Sequence, residues 1–284
     1  MSLHQNAKNL LPFDANALHT FDYQLHTKAQ SMSFGRRLYR FEVINSTNEK
    51  ELFWLKAQLS DTSIHATEGF LRELECYCHF QSLELSIVLP FQVCANYTMQ
   101  QGNDILDFTQ ILLLPHAQLF FQQDPAQLSY EQIKHCFWQA IDALDQLEQS
   151  GWQHSDIKVE HFVLYAGMLK LIDFEQANLI AQPNSVMNAT PRYMAPELFQ
   201  GQPKSIQSDI YALGIVFYEW LSGRRLKAKS YQDWAILHCQ QLNIELPSIF
   251  ADFLPLLLAM LAKDKTVRIQ SFSSLKRCLV TEIA

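Results

Sequence analysis

Two apolar runs, Val163-Leu-Tyr165 and Leu169-Lys-Leu-Ile172, flank Ala166-Gly-Met168, with Asp156, Lys158 and His161 just before them and Asp173 just after. No other feature restricts the fold as tightly. Short apolar runs around a glycine-containing turn predict a two-stranded hairpin. Antiparallel pairing about Gly167 would set 163 opposite 171 and 161 opposite 173, making His161 and Asp173 neighbours at the open end. Asp156, in the loop that enters the first strand, reaches the same small volume.

Two carboxylates, an imidazole and a lysine at one mouth define a chemistry. One carboxylate can hold a divalent cation through oxygen. The other can orient a hydroxyl and accept its proton. Together these are the requirements of phosphoryl transfer, in which positioning and charge neutralisation do most of the work. Read locally, the same residues also fit a surface hairpin with solvated charges.

At 284 residues the chain suits one large domain or two lobes with a cleft, since single cores stop growing near ~250 to 300 residues. A net charge of −7 argues against nucleic-acid or anionic-membrane binding through bulk charge. The six cysteines form neither a Cys-x-x-Cys pair nor a compact framework. Cys76 and Cys78 would point about 200° apart on a helix, so they read as small hydrophobes in a reducing compartment. Met1–Asn9 has no apolar core of signal-peptide length, and the apolar run Phe253–Ala262 is too short to span a bilayer. The expectation is a cytoplasmic protein with no membrane span and no nucleic-acid partner.

Residues 1–20 are polar and irregular and read as a tail or strap. Strand patterns follow at 21–25, 38–44 and 52–57, with Lys56 a basic residue at the end of an apolar strand. Residues 66–80 have helical spacing and carry Glu73 and Glu75. Further strand patterns at 86–97 and 105–114 lead to Pro115, which stops a ladder and suggests a hinge. Helices are predicted at 130–150, 208–222, 231–243, 250–262 and 271–282. The second of these is apolar nearly all round, hence buried, so Asp209 in its first turn needs partners.

In order along the chain, His154-Ser-Asp-Ile-Lys158 resembles the catalytic loop of protein kinases, Asp173-Phe-Glu175 the metal-binding Asp-Phe-Gly, and Thr190-Pro-Arg-Tyr-Met-Ala-Pro-Glu197 the end of a Ser/Thr-kinase activation segment. Asp209 with Leu213-Gly214 is similar to the helix beneath that loop, and Arg268 to the arginine that pairs with the Ala-Pro-Glu glutamate, here Glu197. The resemblance covers residues from about 21 to 282. It implies an α+β, two-lobed fold: an N-lobe at about 21–114 made of an antiparallel sheet with one helix, a hinge at about 114–118, and a mainly helical C-lobe at about 119–284.

It also implies roles. Lys56 would grip the nucleotide's α- and β-phosphates, held by Glu73, with Glu75 in reserve. Backbone groups at Leu114 and His116 would meet adenine. Asp156 would act as base, Lys158 would neutralise the transferring phosphoryl, Thr190 would contact both on the substrate platform, and Asp173 with His161 would hold metal. The cofactors implied are ATP and Mg, with Mn possible, and the partner is a protein substrate phosphorylated on Ser or Thr.

Four positions depart from the family pattern. Gln30 and Met32 stand where the nucleotide loop has its first two glycines, with only Phe34-Gly35 matching. Ser155 replaces the usual arginine, which points to an activation segment formed without phosphorylation, although Ser185 and Thr190 offer hydroxyls. His161 replaces a metal-binding asparagine, and His161-Phe162 is similar to bacterial lipopolysaccharide sugar kinases. Glu175 replaces a glycine, adding a charge that can stiffen the segment or attract a second cation. Two other functions follow from these departures: a pseudokinase that binds nucleotide or partners without turnover, and a sugar or small-molecule kinase.

Overall fold

The computed structural model describes residues 15–45, 48–59, 62–101, 104–182 and 189–281. It divides the chain into two units, one of residues up to Ala117 with Asp173–Glu175, the other of Gln118–Ile172 and Gln176 onward.

In the first unit, period-two alternation makes the sheet. A 3-10 turn at Ala15–Thr20 is followed by strand β1 (Gln24–Leu25), helix α1 (Ala29–Ser33), β2 (Arg36–Ile44), β3 (Lys50–Gln58), helix α2 (Ile64–Ser82), β4 (Gln92–Gln101) and β5 (Asp104–Pro115). The strands pair antiparallel in the order β1-β2-β3-β5-β4. Tyr39, Phe41 and Val43 of β2 and Phe53, Leu55 and Ala57 of β3 point to one face and form its core. Leu18 belongs to the same cluster, so residues 15–20 strap the sheet. Alternation therefore sends Lys56 to the opposite face from Leu55 and Ala57.

Two strand patterns are shorter than their sequence suggests. The run from Phe21 pairs only at Gln24–Leu25; beyond Leu25 the His26 amide still donates to the Leu38 carbonyl, and the Leu38 amide donates to the Thr27 hydroxyl. The run from Ser86 enters the sheet only at Gln92, after Pro90, which has no amide to give a ladder. Ile87, Leu89 and Phe91 are buried without pairing. Helix α2 starts at Ser63, whose side chain accepts from the Ala66 amide. Its buried positions Phe70, Glu73, Leu74, Tyr77 and Phe80 keep the helical period.

The second unit is mainly helical, and the α+β class stands. Its elements are β6 (Gln118–Leu119), α3 (Tyr130–Gln149), β7 (Trp152–Gln153), β8 (Phe162–Tyr165), β9 (Met168–Leu171), β10 (Asn178–Leu179), α4 (Pro196–Phe199), α5 (Ile206–Ser222), α6 (Tyr231–Ile236) with a π turn at Leu237–Gln241, α7 (Leu254–Met260) and α8 (Phe272–Thr281). A capping box at Ser129 and Gln132 opens α3. Helix α5 is buried along most of its length, and Phe217 stacks on Phe137 of α3 with ring centroids 3.7 Å apart. A Cβ at Gly214 would meet Leu261 Cγ at 2.9 Å and Met260 Cβ at 3.1 Å, so glycine there lets the α7 end pack onto α5. No helix among the described residues is long and apolar enough to cross a membrane.

The hairpin forms, but its register differs by one residue from the pairing about Gly167. Phe162 faces Leu171, and Val163 faces Lys170. The turn is the two-residue Ala166-Gly167, with φ of 49° and 77°, the backbone of a type I′ hairpin turn that matches strand twist. His161 is therefore opposite Ile172, whose amide donates to the His161 carbonyl, and not opposite Asp173.

His238, fully buried, accepts or donates at Nδ1 with the Tyr211 hydroxyl at 2.9 Å. Burial pushes its imidazole down to about 4, against the pull of the Arg192 and Pro191 carbonyls. The unfolded chain then binds a proton on the way down from the ordinary value of 6.5 that the folded chain refuses until about 4. Stability supplied by this group is lost as pH falls through that window, by up to about 1.4 kcal/mol per pH unit. Urea unfolding of wild type and His238→Gln at pH 7.5 and pH 5 checks this: the gap between the two proteins should narrow at the lower pH.

Candidate active site

In the second unit, the loop at 154–158 is held by one buried carboxylate. Gln153 pairs with Asn178 across β7 and β10, and the chain then turns at Ser155, with φ of 67°. That left-handed turn aims two successive amides at Asp209. The His154 amide donates to Oδ2 at 2.9 Å, and the Ser155 amide lies 3.0 and 3.1 Å from Oδ1 and Oδ2. Burial pushes the Asp209 carboxyl up to about 7, opposed by these amides and by Lys204. The partners that a buried carboxylate demands are the backbone of the loop itself.

Asp156 follows directly. Lys158 Nζ lies 2.8 Å from its Oδ2, and the Thr190 hydroxyl donates to its Oδ1 at 3.3 Å. The structure thus brings together Asp156, Lys158 and Thr190. His161 is 5% exposed; its amide donates to the Lys158 carbonyl, and its ring stacks on His154 with centroids 5.4 Å apart.

Ser155, in place of the family arginine, receives a bond from the Asn178 side-chain amide at 3.2 Å. The loop is tied to the start of the following segment through an uncharged pair. Ser185 lies outside the described residues. Beyond the segment, Arg268 and Glu197 meet in a bidentate ion pair at 2.7 and 2.8 Å. Both are almost fully buried, and the guanidinium lies 4.9 Å from the centre of the Tyr211 ring.

In the first unit, the Lys56 ammonium is surrounded. Glu73 Oε2 is 2.6 Å away, Asp173 Oδ1 2.9 Å and Glu175 Oε1 2.8 Å. Burial works against the charged ammonium, but Asp173 and Glu73 outweigh it and hold the lysine above its ordinary range. Burial likewise raises Glu73, with Lys56 opposing. The three carboxylates present oxygens within 4.8 Å of one another, a donor set suited to a hard cation, and Lys56 now draws on all three. Asp173 has φ of 66°. Phe174 behind it is buried edge-on against Tyr77 and Phe80 of α2. Glu75 has no part in this cluster, and Glu73 is the helix partner of Lys56.

The segment expected to be a glycine-rich nucleotide loop is a helical turn, α1, ending in Gly35. The Gln58 side-chain amide and the Thr62 hydroxyl both donate to the Phe34 carbonyl, at 2.7 and 3.1 Å. A Cβ on Gly35 would sit 2.1 Å from Thr62 Oγ1, so only glycine fits there, at φ of 86°. With Gln30 and Met32 in place of glycines, helical geometry is open to the segment. At the other end of the unit, the His116 amide donates to the Leu52 carbonyl at 2.8 Å, and Trp54 Nε1 donates to His116 Nδ1 at 3.1 Å. Leu114 pairs with Trp54 in the sheet. Sequence reading missed Trp54, which shares the face of Lys56 two residues away, and it missed Arg36, which binds Glu175 through both carboxylate oxygens.

A family model described as protein kinase domain matches residues 62–279. The chain belongs to the protein kinase family. Among its curated relatives, the chain is 33% identical over 148 residues to a serine/threonine-protein kinase of Corynebacterium efficiens, drp72, covering 50% of the chain and 28% of the relative. It is 26% identical over 195 residues to the serine/threonine-protein kinase TIO of Arabidopsis thaliana, covering 67% and 13%. With PLK4 of Xenopus tropicalis the figures are 23% over 201 residues, covering 69% and 19%. The kinase thus spans less than a third of the length of each of these relatives. The family match begins after Lys56, so the strands and α1 before it are placed by the structure.

Proposed function

We propose that this kinase transfers the γ-phosphoryl group of ATP to serine or threonine hydroxyls of proteins. The observation that carries the reading is Asp156, set between Lys158 and Thr190 on a loop whose backbone is fixed by Asp209. Asp156 accepts the hydroxyl proton as the new oxygen–phosphorus bond forms and the bond to the bridging oxygen of ADP breaks. Lys158 neutralises charge on the phosphoryl in flight. Thr190 fixes the rotamer of Asp156 and lies beside the Met194–Glu197 platform. Lys56, steadied by Glu73, takes the α- and β-phosphates, and the adenine edge lies against Leu114 and His116. His116 must release Leu52 before its amide can take part.

Mg, or Mn, when bound supplies positive charge to the phosphates. Asp173 is the side chain that would hold it, with oxygen donors suited to a hard ion. His161 is an imidazole packed on His154, and an imidazole favours Mn over Mg. We place the kinase in the cytoplasm, in keeping with its six free thiols.

Incubation with lysate and γ-labelled ATP, followed by separation of protein from small molecules and lipid, tests the substrate class. Label on protein is the expected result. Label confined to sugar or lipid fractions would transfer the activity to the class suggested by His161-Phe162. A silent nucleotide binder is the second reading, favoured by the pinned α1 turn and by the three carboxylates around Lys56. ATP stabilisation without product under either metal would establish it.

A further inference from the structure

Lys56 has three N–H donors and three carboxylate partners, Glu73, Asp173 and Glu175, at 2.6, 2.9 and 2.8 Å. A phosphate oxygen that reaches Lys56 must therefore compete with these three carboxylates. Glu73 sits on the buried face of α2, and Asp173 is the metal-holding residue of the reading above. Glu175 differs from both. Its carboxylate is gripped by a second cation: Arg36 Nη1 and Nη2 donate to Oε1 and Oε2 in a two-pronged pair. Two cations converging on one oxyanion, one through a bidentate fork, form the arrangement that a phosphate group also selects.

The sequence around this pair makes the same point. Arg36 follows Gly35 directly, where a family nucleotide loop would run back into its strand, and Glu175 stands where that family has a glycine with no side chain. The glycine amides that would cradle phosphate are replaced by the α1 turn, while a guanidinium is added next to it. The Arg36 side chain is 32% exposed and that of Lys56 19%, whereas that of Glu175 is 6% exposed. The cations are partly exposed, and the anion they now share is internal. Lys56 and Arg36 together carry two positive charges against three carboxylates. A polyphosphate is repelled unless one carboxylate gives up its place. Arg72, whose Nη1 already donates to the Glu175 carbonyl at 2.9 Å, stands beside it to take the released side chain.

We propose that Lys56 and Arg36 form a phosphate seat which the Glu175 carboxylate occupies in the free protein, and that nucleotide binds by displacing Glu175, with Arg36 becoming a phosphate ligand. The proposal rests on the reading of Lys56 as the nucleotide lysine. It assigns to Arg36 a binding role, and to Glu175 the role of an internal competitor that sets affinity for nucleotide.

Calorimetric titration with MgATP and with Mg-bound inorganic triphosphate tests both roles. Glu175→Gln keeps the shape and removes the charge, and should tighten both ligands by about tenfold, the worth of one charged hydrogen bond. In the Glu175→Gln background Arg36 has lost its carboxylate partner, so Arg36→Gln there reports phosphate contact alone and should weaken both ligands by about tenfold. Glu175→Gly serves if the glutamine variant does not fold, with the same expected gain. Affinity that is unchanged or weaker in a folded Glu175 variant overturns the competitor role. Equal affinity with and without Arg36 in the Glu175→Gln background overturns the ligand role. Lys56→Met is the separate control: if it leaves wild-type MgATP binding intact, the reading of Lys56 itself fails, whatever Glu175 does.

Discussion

Asp156→Asn is expected to lower phosphoryl transfer by about 10²- to 10⁴-fold, the range for removal of a positioned proton acceptor, with the fold intact. The physical basis is the separation of two jobs in one loop. The loop's shape is held by the His154 and Ser155 amides on Asp209, while the Asp156 carboxylate pairs with Lys158 and Thr190. Asparagine keeps an oxygen for the Thr190 hydroxyl and nearly the same volume, so thermal unfolding should shift little. On the proposed function, the change removes the negative oxygen that would orient a substrate hydroxyl and receive its proton. Initial rates with γ-labelled ATP, alongside calorimetric binding of MgATP, separate the effects: rate falls and binding persists. An equal fall in binding would mean that Asp156 shapes the nucleotide site and does not act on the hydroxyl.

Arg268→Ala is expected to cost about 3 to 5 kcal/mol of stability, the range for breaking a buried ion pair by removing one partner. Arg268 is 1% exposed and Glu197 4%. The guanidinium makes both bonds to Glu197 and also donates from Nε to the Ala262 carbonyl and from Nη1 to the Gln207 carbonyl. Truncation leaves a buried carboxylate and two carbonyls unserved, and the Tyr211 ring loses the cation against it. The double variant Arg268→Met with Glu197→Gln should recover part of the loss, because the stranded charge is removed with its partner. Equilibrium unfolding in urea measures both. A single-variant cost below about 1 kcal/mol would mean that water or another cation already serves Glu197.

Much of the fold was legible because it rests on local periodicity. Alternation in β2 and β3 and the helical spacing of α2, α3 and α5 can be read from side-chain type alone. The hairpin register was less so. The choice between a turn centred on Gly167 and a two-residue Ala166-Gly167 turn depends on whether alanine accepts a positive φ, which its sequence neighbours do not decide. Asp209 shows the favourable case: an acid in an otherwise apolar helix demands partners, and the structure supplies two amides.

The cluster around Lys56 shows the opposite. Arg36 and Glu175 are 139 residues apart, and no local pattern joins them. The Trp54–His116 contact was hidden because a tryptophan in a strand reads as core. Gln30 and Met32 in place of glycines permit the α1 turn without specifying it, and its pinning by Gln58 and Thr62 depends on loop positions that the sequence leaves open.

The chain is expected to be a working phosphotransferase whose Asp156, Lys158 and Asp173 hold the roles proposed for them. Label incorporated into protein per mole of wild-type kinase, with γ-labelled ATP and either Mg or Mn, tests it most directly. Time-dependent, metal-dependent incorporation that Asp156→Asn lowers by about 10²- to 10⁴-fold is the expected result. Saturable ATP binding with no incorporation under either metal would contradict it.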